Sequence, residues 1–426
     1  MSDIPFPRGV RDLLPNEALF RNELLGRMED VFRLFGFLSI DTPSFEHIDV
    51  LKAKNAIGAE DKLIYEIKDE RLGLRYDNTV SLARYMAMHQ ELPMPFKRYY
   101  IGKVWRRDEP QRLRYRELLQ ADADIVGSKS PAADAEVMAA AATILDGIGV
   151  EYSIRINDRR IMDAVLSKIG IQESLLPNVM RAIDKLDKIG ETEVASMLRA
   201  LGVESGTVDQ AMGFIMLGGT NDAKLDYVDK IAGEGTSKDL RTTLKLLGAY
   251  NIRGEQTIDF SIVRGLDYYT GIVFEYKLTD EKLSVAGGGR YDNLIGVYGS
   301  KEMPAVGVSL GVDRLLEALD FSSSMEYTYA NAFVATVNDN NYGYALHVAG
   351  NLRANGIPTE INLAQRNLTN QFSYAGAIKT KYVIIIGDVE EKAGKVKIRN
   401  LISGDESTVS IDEAISIIKG NLNAKI

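Results

Sequence analysis

The stretch Lys97–Arg116, KRYYIGKVWRRDEPQRLRYR, holds eight basic and two acidic side chains, a local excess of +6 on a chain of formal charge −9. Guanidinium forks bind phosphate oxygens in pairs and tyrosine faces stack on bases, so an arginine- and tyrosine-rich hairpin suits a nucleotide ligand. A solvated hairpin with one charged face would have the same composition. Alternation places Arg106 and Asp108 on one face of their strand, and Gln120, Asp122 and Asp124 on one face of the returning strand, a pocket for cations and anions together. Three further segments could carry chemistry. In VRGLDYYTGIVFEY, Val263–Tyr276, Arg264 precedes paired tyrosines and a strand ending in Glu275, which edge-strand packing would also produce. AGGGRYDNL, Ala286–Leu294, has three glycines that let backbone pass close to a flat ligand or that simply make a turn. AVGVSLGVDRLLEAL, Ala305–Leu319, has the GxSxG spacing of a nucleophile elbow, but Ser309 lies in strand-like alternation and the next histidine, His347, falls in a separate domain. Its other reading is an anion site: Val312, Leu315, Leu316 and Leu319 make the buried stripe of a helix and leave Arg314 in the first turn.

These residues need elements to hold them. Asn16–Gly36 repeats apolar residues in threes and fours, which predicts an amphipathic helix ended by glycine, and the strand FLSI follows. Met94–Val126 predicts a long antiparallel hairpin turning around Asp108–Leu113. From about residue 160 to 253 the chain is mostly helical and acidic and reads as an inserted module. Strand-like segments resume at Thr257–Leu278 and Ala305–Leu310, and FSSSMEYTY after Asp320 reads as a linker. NAFVATVN, a helix-like run to Asn355, PTEIN, a second helix-like run and KYVIIIG then give strand–helix–strand–helix–strand. The expected fold class is α+β: an antiparallel sheet flanked by helices in residues 1–325, with the helical insertion, and a small α/β domain in 326–426.

Composition limits the chemistry. A chain of 426 residues, 45% hydrophobic and 26% charged, suits two or three folded domains and excludes wholesale disorder. The absence of cysteine removes disulfides, thiolate zinc sites and cysteine nucleophiles, so no zinc is expected. Only His47, His89 and His347 occur, without HExxH spacing, and there is no P-loop or GxGxxG motif. No run approaches the ~20 apolar residues of a membrane span and the start lacks a signal-peptide pattern, so a cytoplasmic protein without a membrane partner is expected. The negative net charge gives no global pull toward nucleic acid, so a polyanion must be met locally.

Together the segments resemble the class II aminoacyl-tRNA synthetases and, among them, the histidyl-tRNA synthetase family, over nearly the whole chain. FGFLSIDTPSFE is similar to the first class motif, whose proline, here Pro43, helps build a homodimer interface; KVWRRDE to RYRELLQ resembles the second and GVSLGVDRL the third. RGLDYYTG, LRYDNT (Leu74–Thr79) and GGRYDNL (Gly288–Leu294) are similar to peptides particular to the histidine enzymes. The C-terminal α/β segment resembles the anticodon-binding domain shared by several class II enzymes, with Lys379, Lys381, Lys395, Lys397 and Arg399 as candidate phosphate contacts or as a solvated strand face.

The resemblance implies a two-step ligase with histidine, ATP and tRNA-His as partners and Mg2+ accompanying ATP. It implies that Arg106 holds the α-phosphate and the substrate carboxylate, that Asp108 faces adenine, that Arg264 is catalytic at the α-phosphate, and that Arg314 meets the terminal phosphates. Glu275 is the carboxylate expected to help bind that magnesium. Asp77, Thr79 and Gln120 would hold the histidine α-ammonium, and Asp124, Tyr269 and Tyr291 the two ring nitrogens. Position 77 is aspartate, as in archaeal and eukaryotic relatives, yet the turn is short as in bacterial ones. By that second likeness Gln111, with Arg112 beside it, contacts the tRNA. A non-catalytic regulatory paralog is the competing class, but such paralogs generally lack the anticodon domain and the RGLDYY peptide. An adenylating enzyme without a tRNA partner is a third.

Overall fold

Period-two alternation on both sides of the arginine-rich turn becomes an antiparallel hairpin of two ten-residue strands, Phe96–Trp105 and Glu117–Val126, in register from Phe96 opposite Val126 to Trp105 opposite Glu117. A computed structural model describes residues 4–52, 62–263, 268–279, 284–299, 301–319, 328–364 and 366–422. Arg264 and most of the expected linker lie outside the described residues. Along the chain, α1 (Pro15–Leu34), β1 (Leu38–Ser39), β2 (Phe45–His47), α2 (Ile48–Leu51), β3 (Tyr65–Glu66), β4 (Leu72–Leu74) and α3 (Thr79–Met88) precede the hairpin, which is β5 and β6. Next come α4 (Pro131–Ile148) and β7 (Tyr152–Asp158). The helices α5 (Arg159–Lys168), α6 (Leu176–Ile183), α7 (Leu186–Ile189), α8 (Glu191–Ala200), α9 (Ser205–Ile215), α10 (Asn221–Ala232) and α11 (Lys238–Gly248) separate β7 from β8 (Glu255–Ile258). β9 (Ile272–Leu278), β10 (Ser284–Arg290), β11 (Ala305–Gly311) and α12 (Val312–Ala318) complete this part.

The chain divides into two compact units, Met1–Arg11 with Leu24–Leu319, and Asp12–Glu23 with Asp320–Ile426. The first is built on an eight-stranded sheet of order β1-β5-β6-β11-β10-β9-β7-β8, antiparallel except where β1 joins β5 and β8 joins β7. Helix α4 covers one face. Ser130 caps it by accepting from Ala132 N, Pro131 fits its first turn, and its buried alanines let it lie close enough for Tyr276 Oη to donate to the Met138 carbonyl at 2.6 Å. On the other face Val80, Leu82, Ala83 and Met86 of α3 pack with Val273, Tyr269, Tyr291 and Leu294.

Three expectations change. The glycine run is the interior of β10, not a turn, with β9 and β11 hydrogen-bonded on either side. β9 does not end in Glu275 but continues to Leu278. β5 ends at Trp105, so Arg106 and Asp108 follow the strand instead of sharing one of its faces; Arg106 N is taken by the Arg116 carbonyl at 2.8 Å and Arg107 N by Leu63 at 2.9 Å.

The second unit carries β12 (Ala332–Thr336), α13 (Tyr342–Ala354), β13 (Thr359–Ile361), α14 (Leu368–Ala377), β14 (Tyr382–Ile386), α15 (Asp388–Ala393), β15 (Lys395–Asn400), β16 (Glu406–Ser410) and α16 (Ile411–Leu422). Its sheet runs β13-β12-β14-β15-β16, parallel in the first three strands and antiparallel in the last. Lys397 and Arg399 both lie near Glu406, at 3.3 and 3.7 Å. Among the described residues no helix is long and apolar enough to cross a membrane.

Under α4 the buried Arg290 fork meets Asp134 Oδ1 from Nη2 at 2.7 Å and from Nε at 3.0 Å, and fixes the start of the Arg290–Leu294 peptide. Asp134→Ala strands that guanidinium and is expected to cost about 3–5 kcal/mol, whereas Asp134→Leu with Arg290→Met costs far less. Urea unfolding midpoints of the two variants check the order.

Candidate active site

Strand register arranges the site. One line across the open face of the sheet runs Arg98, Asp124, Gly307, Gly289, Val273 and Asn157. The next on the same face runs Tyr100, Asp122, Ser309, Gly287, Glu275 and Arg155, and Gly102, Gln120 and Gly311 begin a third. Acidic side chains at one end, glycines in the middle and an arginine–glutamate pair at the other make a floor with a charged rim. Gly307 is required here: a Cβ would be built into the Asp124 carboxylate.

The acidic end is buried. Arg98 Nη2 lies 2.7 Å from Asp124 Oδ2, and Tyr291 Oη donates to Asp124 Oδ1. Asn78 Nδ2 donates to Asp122 Oδ2 at 2.7 Å. Asp77 lies two residues before α3, its Oδ1 accepting from Val80 N in the first turn at 3.0 Å, and Gln120 Nε2 donates to Ser309 Oγ at 2.8 Å. Burial pushes Asp77 and Asp124 up to about 6 and raises Asp122 as well, with Arg98 and Arg106 opposing the shift. Asp77 Oδ2 and Gln120 Oε1 are buried without a hydrogen-bond donor among the described residues, while Asp124 Oδ2 has the Arg98 ion pair and Asp122 is met by Asn78 and Ser309. Both open atoms are acceptors. A ligand that satisfies them must bring N–H donors and positive charge.

Around this cluster the side chains are aromatic and cationic. Tyr269 packs on Tyr268 at 4.9 Å between centroids, and Tyr268 meets Tyr291 edge-on at 5.9 Å. Tyr268, whose hydroxyl meets Thr79, is held well above its usual range by burial. Arg106 is half-buried and its Nε donates to the Tyr76 carbonyl at 2.9 Å. It acts electrostatically on both Asp77 and Asp122, which places its charge beside theirs.

The expected residues thus fall into groups. Asp77, Thr79, Gln120, Asp124, Tyr269, Tyr291 and Arg106 belong to the acidic cluster and its rim. Asp108 Oδ1 is paired with Arg114 at 2.8 Å, beyond the strand end. Gln111 and Arg112 are exposed at the hairpin tip, where Gln111 and Arg114 bridge. Arg314 donates to the Ser284 carbonyl at 2.6 Å from α12, which has only seven residues, so its own charge outweighs any helix dipole. Leu319 is only half-buried and lies past the end of that helix. Glu275 sits three strands from Asp122, about 14 Å at the usual strand spacing, and faces Arg155 at 3.9 Å. Among the described residues no three Asp, Glu, His or Cys side chains converge as metal ligands. A single carboxylate such as Glu275 fits a magnesium ion held mainly by phosphates. Arg98, Asn78 and Tyr268 had no role in the sequence reading; Arg98 finds Asp124 only through hairpin register, which depends on the exact turn.

A profile described as histidyl-tRNA synthetase matches residues 9–315, and one described as an anticodon binding domain matches 331–421. The chain is similar to histidine–tRNA ligases of Korarchaeum cryptofilum, 39% identical with 98% of each chain covered, and of Aeropyrum pernix, 38% identical with 97% of each covered. The crystal structure of the histidyl-tRNA synthetase from a Nostoc species superposes with a TM-score of 0.86 at 29% identity, covering 99% of this chain and 100% of that one. With a matching profile over most of its length, relatives alike from end to end and a shared fold, the chain belongs to the histidyl-tRNA synthetase family.

Proposed function

We propose that the chain is a histidine–tRNA ligase and that the acidic cluster is its histidine site. The observation that carries this is the buried cluster of Asp77, Asp122 and Asp124 with open acceptors at Asp77 Oδ2 and Gln120 Oε1, since free histidine brings an α-ammonium and a ring N–H. Asp77 with Thr79 and Gln120 receives the ammonium; Asp124 with Tyr269 and Tyr291 receives the ring. A side chain lacking the ring nitrogens leaves Asp124 and its tyrosines without that partner, and sites of this kind reject the wrong substrate by roughly 10⁴ to 10⁵.

In the first step a histidine carboxylate oxygen bonds to the α-phosphorus of ATP while the bond to the departing pyrophosphate oxygen breaks. Charge grows on the α-phosphate oxygens, where Arg106 and Arg264 stabilise it. Arg314 holds the terminal phosphates, and Asp108, its other oxygen anchored by Arg114, faces the adenine amine. Glu275 would help hold the magnesium that accompanies ATP, whose charge would offset that of the triphosphate. In the second step a hydroxyl at the 3′ end of tRNA-His attacks the histidyl carbonyl and AMP leaves. Gln111 and Arg112 at the exposed tip contact the tRNA. In this reading residues 1–325 perform the chemistry, 326–426 bind the anticodon arm, and the enzyme is a cytoplasmic homodimer.

Pyrophosphate exchange into ATP, run with each of the twenty amino acids separately, is expected with histidine alone; exchange with none of them would favour the regulatory class. Gly307→Ala pushes the new Cβ into Asp124 and is expected to raise the KM for histidine at least about tenfold while that for ATP changes little. Protonation removes an acceptor, so with Asp77 and Asp124 near 6 the KM for histidine is expected to climb as pH falls from 7.5 to 5.5. Asp124→Asn should flatten part of that rise; an unchanged profile would show that Asp124 does not produce it.

A further inference from the structure

The segment that precedes α1 is used by none of these roles, yet it is hydrogen-bonded into the arginine-rich turn. Gly9, at φ +82°, offers its carbonyl to Arg116 N at 2.6 Å. Arg116 in turn holds the residues proposed to meet ATP: its carbonyl accepts Arg106 N at 2.8 Å, and its Nε donates to the Asp108 carbonyl at 3.0 Å. A Cβ on residue 9 would stand 2.8 Å from Pro110 Cγ and 2.9 Å from Arg116 Cγ, so segment and turn touch with no space for a side chain between them. Glycine also permits the left-handed backbone that aims this carbonyl at the turn.

Two residues on, Arg11 ties the same turn to α12. Its Nη2 donates to Asp313 Oδ1 at 3.0 Å, and its guanidinium carbon lies 4.8 Å from the centre of the Tyr115 ring. The side chains of the pair are 29% and 16% exposed, so salt and water screen it less than a surface pair. Asp313 has a second partner. β11 ends at Gly311 opposite Gln120, and the preceding residue of β6 turns its amide to the helix instead, Leu119 N donating to Asp313 Oδ2 at 2.7 Å. One carboxylate thus joins residue 11, the base of β6 and the first turn of α12, with Arg314 next along the helix. We propose that Gly9 and Arg11 are positioning residues for the ATP site, clamping the turn that carries Arg106 and Asp108 against the helix that carries Arg314. The inference rests on the reading of those three residues as nucleotide contacts. The acidic cluster is held by bonds from Asn78, Arg98 and Tyr291, none of which involves residues 8–11.

Histidine-dependent pyrophosphate exchange and equilibrium ATP binding by full-length variants test it. Arg11→Ala is expected to raise the KM for ATP about tenfold and to leave the KM for histidine within about twofold; Arg11→Lys recovers part of the loss. Gly9→Ala is expected to act in the same direction. Asp313→Asn keeps an oxygen for Leu119 N but loses the charge that holds Arg11, so it adds little in the Arg11→Ala background. An unchanged KM for ATP in Arg11→Ala and Gly9→Ala overturns the proposal. So do equal rises in both KM values, which report general damage rather than a displaced nucleotide site. Should Arg11→Ala fail to fold, Arg11→Gln decides on the same two KM values. Wild-type protein without histidine-dependent exchange would overturn the ligase reading, and ATP binding then decides alone: about tenfold weaker binding by Arg11→Ala supports the clamp, and equal affinity overturns it. Wild-type protein that binds no ATP overturns the nucleotide reading and the inference with it.

Discussion

Everything at the acidic end depends on the buried opposition of Arg98 and Asp124. The two stand across from each other in the hairpin register, the arginine 1% exposed and the aspartate 2%. A buried ion pair is tolerated only when its geometry is good and neighbouring groups satisfy the rest of its polar atoms. Here Tyr291 supplies one donor and part of the need is left unmet. Asp77 and Asp122 add two more buried carboxylates to the same field, which is why burial lifts all three above the usual aspartate range. The surrounding structure holds this arrangement against its own electrostatics: α3 packs over it, and Gly307 stays side-chain-free so that Asp124 has room.

The opposite end of the floor is the reverse case. Arg155 is fully engaged by Asp259, Ser261 and Asp187, so its charge is spent on structure. Between the two ends, Gly287, Gly289 and Gly307 form the middle of the two lines. A sheet interior without side chains gives up β-packing energy and gains a smooth surface on which a flat group can lie. The cost is offset from the other face, where α4 and the Arg290–Asp134 pair hold β10 and β11.

What could be read in the sequence follows from what is local. The β5–β6 hairpin was legible because strict alternation over ten residues on each side leaves few other structures, and the same alternation grouped Gln120, Asp122 and Asp124. β10 was not, because glycine is depleted from strands and its place between β9 and β11 is a tertiary fact. Where β5 stops was hidden as well: beyond Trp105 the ladder is broken because Arg116 N turns to the Gly9 carbonyl and Arg107 N to that of Leu63, and neither of these partners lies in the hairpin. The role of Arg98 needed the register, and that of Arg155 needed three segments far apart in the chain. The motif peptides located Asp77, Gln120 and Arg106 without any of this, but not the donors and acceptors that tune them.

The site's two halves are coupled by one side chain. Arg106 acts electrostatically on Asp77 and Asp122 while its Nε is committed to the Tyr76 carbonyl. Until a cation neutralises those carboxylates, the guanidinium is drawn toward them and the acidic cluster repels a triphosphate. In the proposed reading, an ammonium seated on Asp77 and Gln120 would remove that repulsion and leave the Arg106 fork for phosphate oxygens. Amino acid and nucleotide would then favour each other's binding by the same factor. The open acceptors of the cluster would so serve selection and chemistry at once, because the ligand that fills them would also free Arg106 for phosphate.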